Sequence, residues 1–194
     1  MDTLEFFLLH HERLHSQIER DFIQRLTGDQ MRYRPAENIN SIAWLVWHMA
    51  RCEDLMSFIL CARRQVLSEG DWLTRFNLTQ HDIGTGMQDE EVGEFTSRVD
   101  LELLGDYYSS VGRRTIEVIQ GLKSEDLNEV PDSAYLSQAL VADGTARENI
   151  IDFLIWEREG NTKGWWLGHL GLAHNHLHRG EALTVRGMQG IRNR

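Results

Sequence analysis

Apolar residues recur along most of the chain at spacings of three and four rather than two, and only two prolines interrupt it, Pro35 and Pro131. That pattern predicts helices and leaves little room for strands. A first helix is expected from about Thr3 to Leu26, with Leu4, Leu8, His11, His15, Ile18 and Phe22 on its inner face and Gly28 just past its end. The segment RYRPAENIN then turns the chain, and Asn40 or Ser41 can cap a second helix. Its inner stripe reads Ser41, Leu45, His48, Cys52, Leu55 and Ile59, which points His48 inward.

From Ser68 to Gly93 the periodicity weakens, with room for a short helix around Trp72, and a connection of this length can cover a pocket. A third helix is expected from about Ser97 to Leu122 on the stripe Val99, Leu103, Tyr107, Val111, Thr115 and Val118. After Pro131 come two shorter candidates, Ser133 to Val141 and Arg147 to Glu157, and then a long final helix from about Thr162 to Arg186. Four long helices joined by shorter ones predict an all-α fold, a four-helix bundle with accessory helices, occupying residues 1–194 as a single domain.

Composition narrows the function classes. The chain is 41% hydrophobic and 26% charged, ordinary for a globular protein. A formal net charge of −10 with scattered arginines opposes a nucleic-acid partner. The start MDTLEFFLLHHERLH lacks the basic opening and unbroken apolar run of an export signal, and IAWLVWHMA is soon interrupted by Arg51, Glu53 and Asp54. A cytoplasmic location with no membrane partner is therefore expected. Cys52 and Cys61, nine residues apart on one expected helix, would lie about 13 Å apart, too far for a mutual disulfide. The many tryptophans, Trp44, Trp47, Trp156, Trp165 and Trp166 among them, suit core and subunit contacts, and a homodimer is compatible with them.

The candidate chemistry lies in GHLGLAHNHLHRGEA. His174 and His178 are four apart, so they stand about 40° apart on one helix face and can share a metal ion. His176 turns away from that pair, and His169 falls off the stripe. With Leu167, Leu170 and Leu177 continuing the expected inner stripe, the two imidazoles would sit in an apolar seam, where an unpaired polar group costs roughly 1–3 kcal/mol. His48 could supply a third nitrogen, leaving a fourth position open for water or substrate. Spacing alone equally allows three core histidines satisfied by backbone or carboxylate partners. His11 and His15 form a rival pair that could line the pocket or make a second metal site but is read as boundary or surface histidines, and Cys52, one turn after His48 and able to join the coordination, is read as a small core residue.

The run His174-Asn175-His176-Leu177-His178-Arg179-Gly180-Glu181, together with His48 in NSIAWLVWHMARCEDLM, resembles the DinB/YfiT-like superfamily of metal-binding four-helix proteins over nearly the whole chain. The later ALTVRGMQG resembles its mycothiol-related branch. The resemblance implies a divalent metal, zinc or nickel, on His48, His174 and His178. It also implies thiol-dependent S-transfer or isomerisation with a low-molecular-weight thiol such as mycothiol, bacillithiol or glutathione as co-substrate and a small electrophile as acceptor. A thiol with pKa near 8.5 becomes a nucleophilic thiolate at such a metal. In a related branch of iron-dependent sulfoxide synthases a glutamate stands two residues after the second histidine; here that position is Gly180, which weighs against an oxygen-activating iron site.

Glu181 can be a fourth ligand, a general base or, as the commonest arrangement, the partner of a histidine's other nitrogen. Arg179 can attract a carboxylate of the thiol or substrate, or simply complement the helix dipole. A non-enzymatic metal-binding or stress-related bundle and a metal-dependent hydrolase remain as alternatives to the transferase.

Overall fold

The computed structural model describes residues 1–78, 81–141 and 144–192, and among them there is helix and no strand. Helix α1 (Thr3–Ile18) is capped by Asp2 and continues into a π-helical turn, Glu19–Ile23. Gly28 lies past the end of this first helical segment, as expected, and also begins the short α2 (Gly28–Arg32), because the Thr27 side chain caps the backbone of Gln30. Helix α3 (Ile42–Cys61) is capped by Ser41. The connection after it holds a 3-10 turn (Val66–Ser68) and α4 (Trp72–Phe76), the short helix expected around Trp72.

The expected third helix, Ser97 to Leu122, is α6 (Leu101–Gln120), and a helix the periodicity did not predict, α5 (Asp89–Arg98), precedes it. Val99 is buried but extended, and the Asp100 carboxylate accepts from the backbone of Glu102 and Leu103, restarting the helix there. An apolar stripe carries no information about such a break; the capping aspartate does. Helices α7 (Ser133–Val141) and α8 (Glu148–Arg158) fall where the apolar pattern puts them. The final helix is α9 (Lys163–Gly168), a π turn (His169–Ala173) and α10 (His174–Met188).

Helix α3 is the axis of the molecule. It packs on α6, α9 and α10, and residues 41–57 are all buried. Three charged residues, Arg51, Glu53 and Asp54, are therefore inside, each no more than 1% exposed. Each is paired. Asp54 accepts from the backbone of Val66 (2.7 Å) and Leu67 (3.0 Å), from the Tyr107 hydroxyl (2.7 Å) and from Arg51 (3.2 Å), which pins the start of the long connection to α3 and α6. Such pairing is what lets charges lie in a core.

The π turn before α10 rotates everything after it. Inserting a residue into a helical turn shifts the following positions by about 100°. Leu177, expected on the inner stripe, is 61% exposed as a result, and the inner positions of α10 are Asn175, Ala182, Val185 and Arg186. His174 and His178 are accordingly not sunk in an apolar seam but border it. Gly171, in the turn, lets the chain approach α1: a Cβ there would stand 2.7 Å from the Phe7 ring. No helix among the described residues is long and apolar enough to cross a membrane.

Candidate metal centre

The structure brings His48, His174 and His178 together. The three ring centroids stand 4.4–4.8 Å apart, and His174 Nε2 lies 3.1 Å from His48 Nε2. His48 comes from the middle of α3 and is buried, whereas His174 and His178, from the first turns of α10, are part-exposed. The cluster therefore has a closed side against α3 and an outward side along α10.

Each imidazole is held through its other nitrogen. His48 Nδ1 donates to the Ile83 carbonyl, and the ring stacks on Trp44 with centroids 4.8 Å apart. His178 Nδ1 donates to Glu181 Oε2 at 2.7 Å, and His174 Nδ1 faces Asn175 Oδ1 at 3.5 Å. The segment carrying Ile83 is itself pinned. Ile83 N donates to the Thr145 carbonyl (2.9 Å), while Arg147 bonds Asp82 (3.1 Å) and both oxygens of Glu91 (2.8 Å each). Gly84, at φ +86°, turns this segment against Trp44, where a Cβ would stand 2.9 Å from the indole. The connection after α3 thus does cover part of the site.

Protonation follows from these partners. A carbonyl and a carboxylate accept, so the hydrogen in each of these bonds is on Nδ1 of His48 and of His178, and Nε2 is the ring nitrogen left for a metal. Burial, reinforced by the neighbouring His48 and His178, pushes the His174 pKa down to about 2, so this ring carries no charge at neutral pH. At 3.1 Å the two Nε2 atoms are close enough to share one cation or one hydrogen. Three nitrogen donors with their remaining N–H groups engaged, and one side open, fit a divalent metal with a free fourth position.

Glu181, as its position after His178 suggests, holds that histidine's Nδ1. It also borders a cavity of about 250 Å³ lined in part by Asn38, Ile39, Leu45, Val185 and Met188. Arg179 is engaged elsewhere. Its Nη2 donates to Asp21 Oδ2 at 2.8 Å, and the arginines at 179 and 20 hold the Asp21 acid low against the opposing effect of burial. Cys52 Sγ is 3.9 Å from His48 Nδ1, beside the nitrogen that faces away from the cluster. His176 is exposed, and His169 stacks on Trp165 with its centroid 6.2 Å from that of His174.

His11 and His15 are not boundary residues. They are buried and converge on Glu53, with Nε2 of His11 2.7 Å from Oε1 and Nε2 of His15 2.9 Å from Oε2. Thr115 Oγ1 donates to Oε1 (2.7 Å) and Asn175 Nδ2 to Oε2 (2.8 Å). Burial raises the Glu53 pKa, but His15 and His11 outweigh it and hold the carboxyl far below the usual range. Sequence reasoning missed Glu53, Thr115 and Asn175. The available signal was an acid five residues after His48 on the most apolar helix, opposite a second histidine pair spaced by four.

Both triads, His48/His174/His178 and His11/His15/Glu53, bring their donor atoms within 4.8 Å of one another. Their outer nitrogens separate them. His11 Nδ1 is buried without a hydrogen-bond partner. A metal on Nε2 would force the proton onto that nitrogen and strand a buried donor, at roughly 1–3 kcal/mol. Where Nε2 instead gives its hydrogen to Glu53, Nδ1 need carry none. The chemistry of the donors favours metal at the first triad and hydrogen bonds at the second.

Comparison with known proteins agrees with this architecture. The DinB superfamily profile matches residues 15–182. A crystal structure of a conserved protein from Enterococcus faecalis superposes with a TM-score of 0.69 at 21% identity, covering 97% of each chain, which is likeness of fold. No curated protein matches. The profile takes in all four long helical segments in whole or in part and every residue of the three-histidine cluster, and the chain belongs to the DinB superfamily.

Proposed function

We propose that the protein binds a divalent metal ion, zinc or nickel, through Nε2 of His48, His174 and His178, and acts as a thiol-dependent S-transferase or isomerase. One observation carries the metal assignment: the three imidazoles bring one ligand nitrogen each within 4.8 Å of the others, while the Nδ1 of each ring is engaged by a partner of its own. A divalent cation there supplies an open position at which a thiol of pKa about 8.5 is drawn into its thiolate form.

The chain's own residues prepare that position. Ile83 and Trp44 fix the His48 ring from the closed side, so the open side is set by α10. Glu181 orients His178 and puts a half-exposed carboxylate at the rim, beside the 250 Å³ cavity. The apolar walls of that cavity, Ile39, Leu45, Val185 and Met188, suit a small electrophile whose body is apolar. The co-substrate class is a low-molecular-weight thiol of the mycothiol, bacillithiol or glutathione kind, and the setting is the cytoplasm, where such thiols are kept reduced. A homodimer is the assembly proposed.

Metal analysis of tag-free protein tests the first half. Stoichiometric zinc or nickel is expected in the wild type and its loss in His48→Ala and His178→Ala; unchanged content in the variants overturns the site. Incubation with monochlorobimane and a panel of thiols tests the second half. Conjugation that needs both the metal and one thiol supports the transferase. Failure with every thiol favours a non-catalytic metal-binding bundle, and hydrolysis of activated esters without thiol favours a hydrolase.

A further inference from the structure

Asn175 joins the two triads. It is fully buried on the inner side of α10, its Nδ2 donates to Glu53 Oε2 at 2.8 Å, and its Oδ1 lies 3.5 Å from His174 Nδ1. A carboxamide has one donating and one accepting end, so whatever fixes one end fixes the other.

Glu53 fixes it. It follows His48 by five residues, which turns it about 140° around α3, away from the three-histidine cluster and toward α1 and α6. Four donors fill its lone pairs: His11 Nε2 and Thr115 Oγ1 on Oε1, His15 Nε2 and Asn175 Nδ2 on Oε2. A carboxylate carries about four acceptor sites, and an ionised one has no hydrogen to give. The groups around it on α1, α6 and α10 therefore have to present donors. Asn175 must turn its NH2 to Glu53, which leaves Oδ1 for His174. Oδ1 can only accept, so the hydrogen of His174 is drawn to Nδ1 and its lone pair to Nε2, the nitrogen that faces His48. With the amide reversed, NH2 would confront Nδ1 and favour hydrogen on Nε2, the tautomer that cannot ligate.

We propose that Glu53 and Asn175 are positioning residues of the metal centre: the buried Glu53 carboxylate sets the direction of the Asn175 amide, which sets the tautomer of His174. The proposal rests on the reading that His174 is a ligand. Thr115 provides the built-in comparison, because it gives Glu53 a hydrogen bond of the same kind, 2.7 Å against 2.8 Å, from a residue that does not touch His174.

The test combines zinc affinity, measured by chelator competition, with long-range proton–nitrogen NMR of the imidazoles in metal-free protein. Asn175→Ala is expected to lower zinc affinity about 10- to 100-fold, the usual effect of removing the partner of a ligating histidine. His174 should shift in the same variant from hydrogen on Nδ1 to a mixture. Thr115→Val should lower stability while leaving zinc affinity and the His174 tautomer in place. Glu53→Gln should weaken zinc binding in the wild-type background and add nothing in Asn175→Ala, since its effect passes through that amide.

Equal loss of zinc affinity in Thr115→Val and Asn175→Ala overturns the proposal, because general loosening would then explain both. So does a wild-type His174 with hydrogen on Nε2. The NMR readout needs no bound metal, so it still decides the positioning role if the wild type takes up no zinc. That failure would be seen separately, in metal content that does not respond to His48→Ala.

Discussion

Glu181→Ala should weaken metal binding without weakening the fold. The carboxylate accepts from His178 Nδ1 at 2.7 Å, and its side chain is 48% exposed while that of His178 is 14% exposed. Removing the partner of a ligating histidine costs about 10- to 100-fold in affinity. Because Glu181 stands at the surface, water can enter and accept the Nδ1–H, which places the effect at the low end. About tenfold is expected, equivalent to about 1.4 kcal/mol.

Two measurements must agree. Zinc dissociation constants from chelator competition should rise about tenfold. At a fixed zinc concentration well above both constants, the stabilisation conferred by the metal in urea unfolding should fall by about 1.4 kcal/mol, since ligand stabilisation scales with the logarithm of affinity. Unfolding in a chelator should differ from wild type by no more than about 0.5 kcal/mol, as for other surface changes. Glu181→Gln keeps an accepting oxygen and should stay within a few-fold of wild type. An unchanged dissociation constant in Glu181→Ala, or a loss of stability in the metal-free protein as large as that in the loaded one, would refute the reasoning.

Three further outcomes follow from the packing. Tyr107→Phe removes the hydroxyl that donates to Asp54 and accepts from Arg51, and should destabilise the protein by about 1.5–3 kcal/mol in denaturant unfolding, the range for hydrogen bonds to charged groups. Gly112→Ala would put a methyl group 2.5 Å from His15 Nδ1 and push that ring off Glu53, so a loss of about 1–3 kcal/mol is expected; tolerance of the substitution would mean that the α1–α6 contact is looser than it looks. Arg147→Gln should lower stability at neutral pH in a way that fades in acid. Hydrogen bonding to Arg147 depresses the Glu91 pKa, so the stabilisation is full above the ordinary glutamate value and is lost as pH falls below it toward the folded value. A wild-type-minus-variant difference in melting temperature that does not shrink between pH 7 and pH 3 would contradict this.

Much of the site can be read from the chain. The i, i+4 spacing of His174 and His178 puts them on one face whatever surrounds them, and His48 lies on a stripe with Leu45 and Leu55 that must turn inward. Glu181 is within reach of His178 for the same reason. The role of Glu53 was not readable. Residues 51–54, Arg-Cys-Glu-Asp, look like the polar edge that ends an apolar run, and only the burial of α3 on every side makes their charges internal. A hydrophobic stripe reports which side of a helix faces a core; it does not report that a second core lies on the other side.

The register of α10 shows the same boundary. Local sequence specifies helices, their caps and the pairing of residues three and four apart, because these depend on backbone geometry and near neighbours. By itself it determined an all-helical chain, the facing pair on the last helix and a third histidine able to meet it. The π turn at His169–Ala173 rotated Leu177 outward and Asn175 inward, and the depth of α3 turned His11 and His15 from boundary residues into partners of a buried carboxylate. Those outcomes depend on which helices lie against one another and how closely, as at Gly171 against Phe7 and Gly112 against His15. Contacts between residues far apart in the chain are settled by packing and by the cost of unpaired buried polar groups, and neither is written in any single segment.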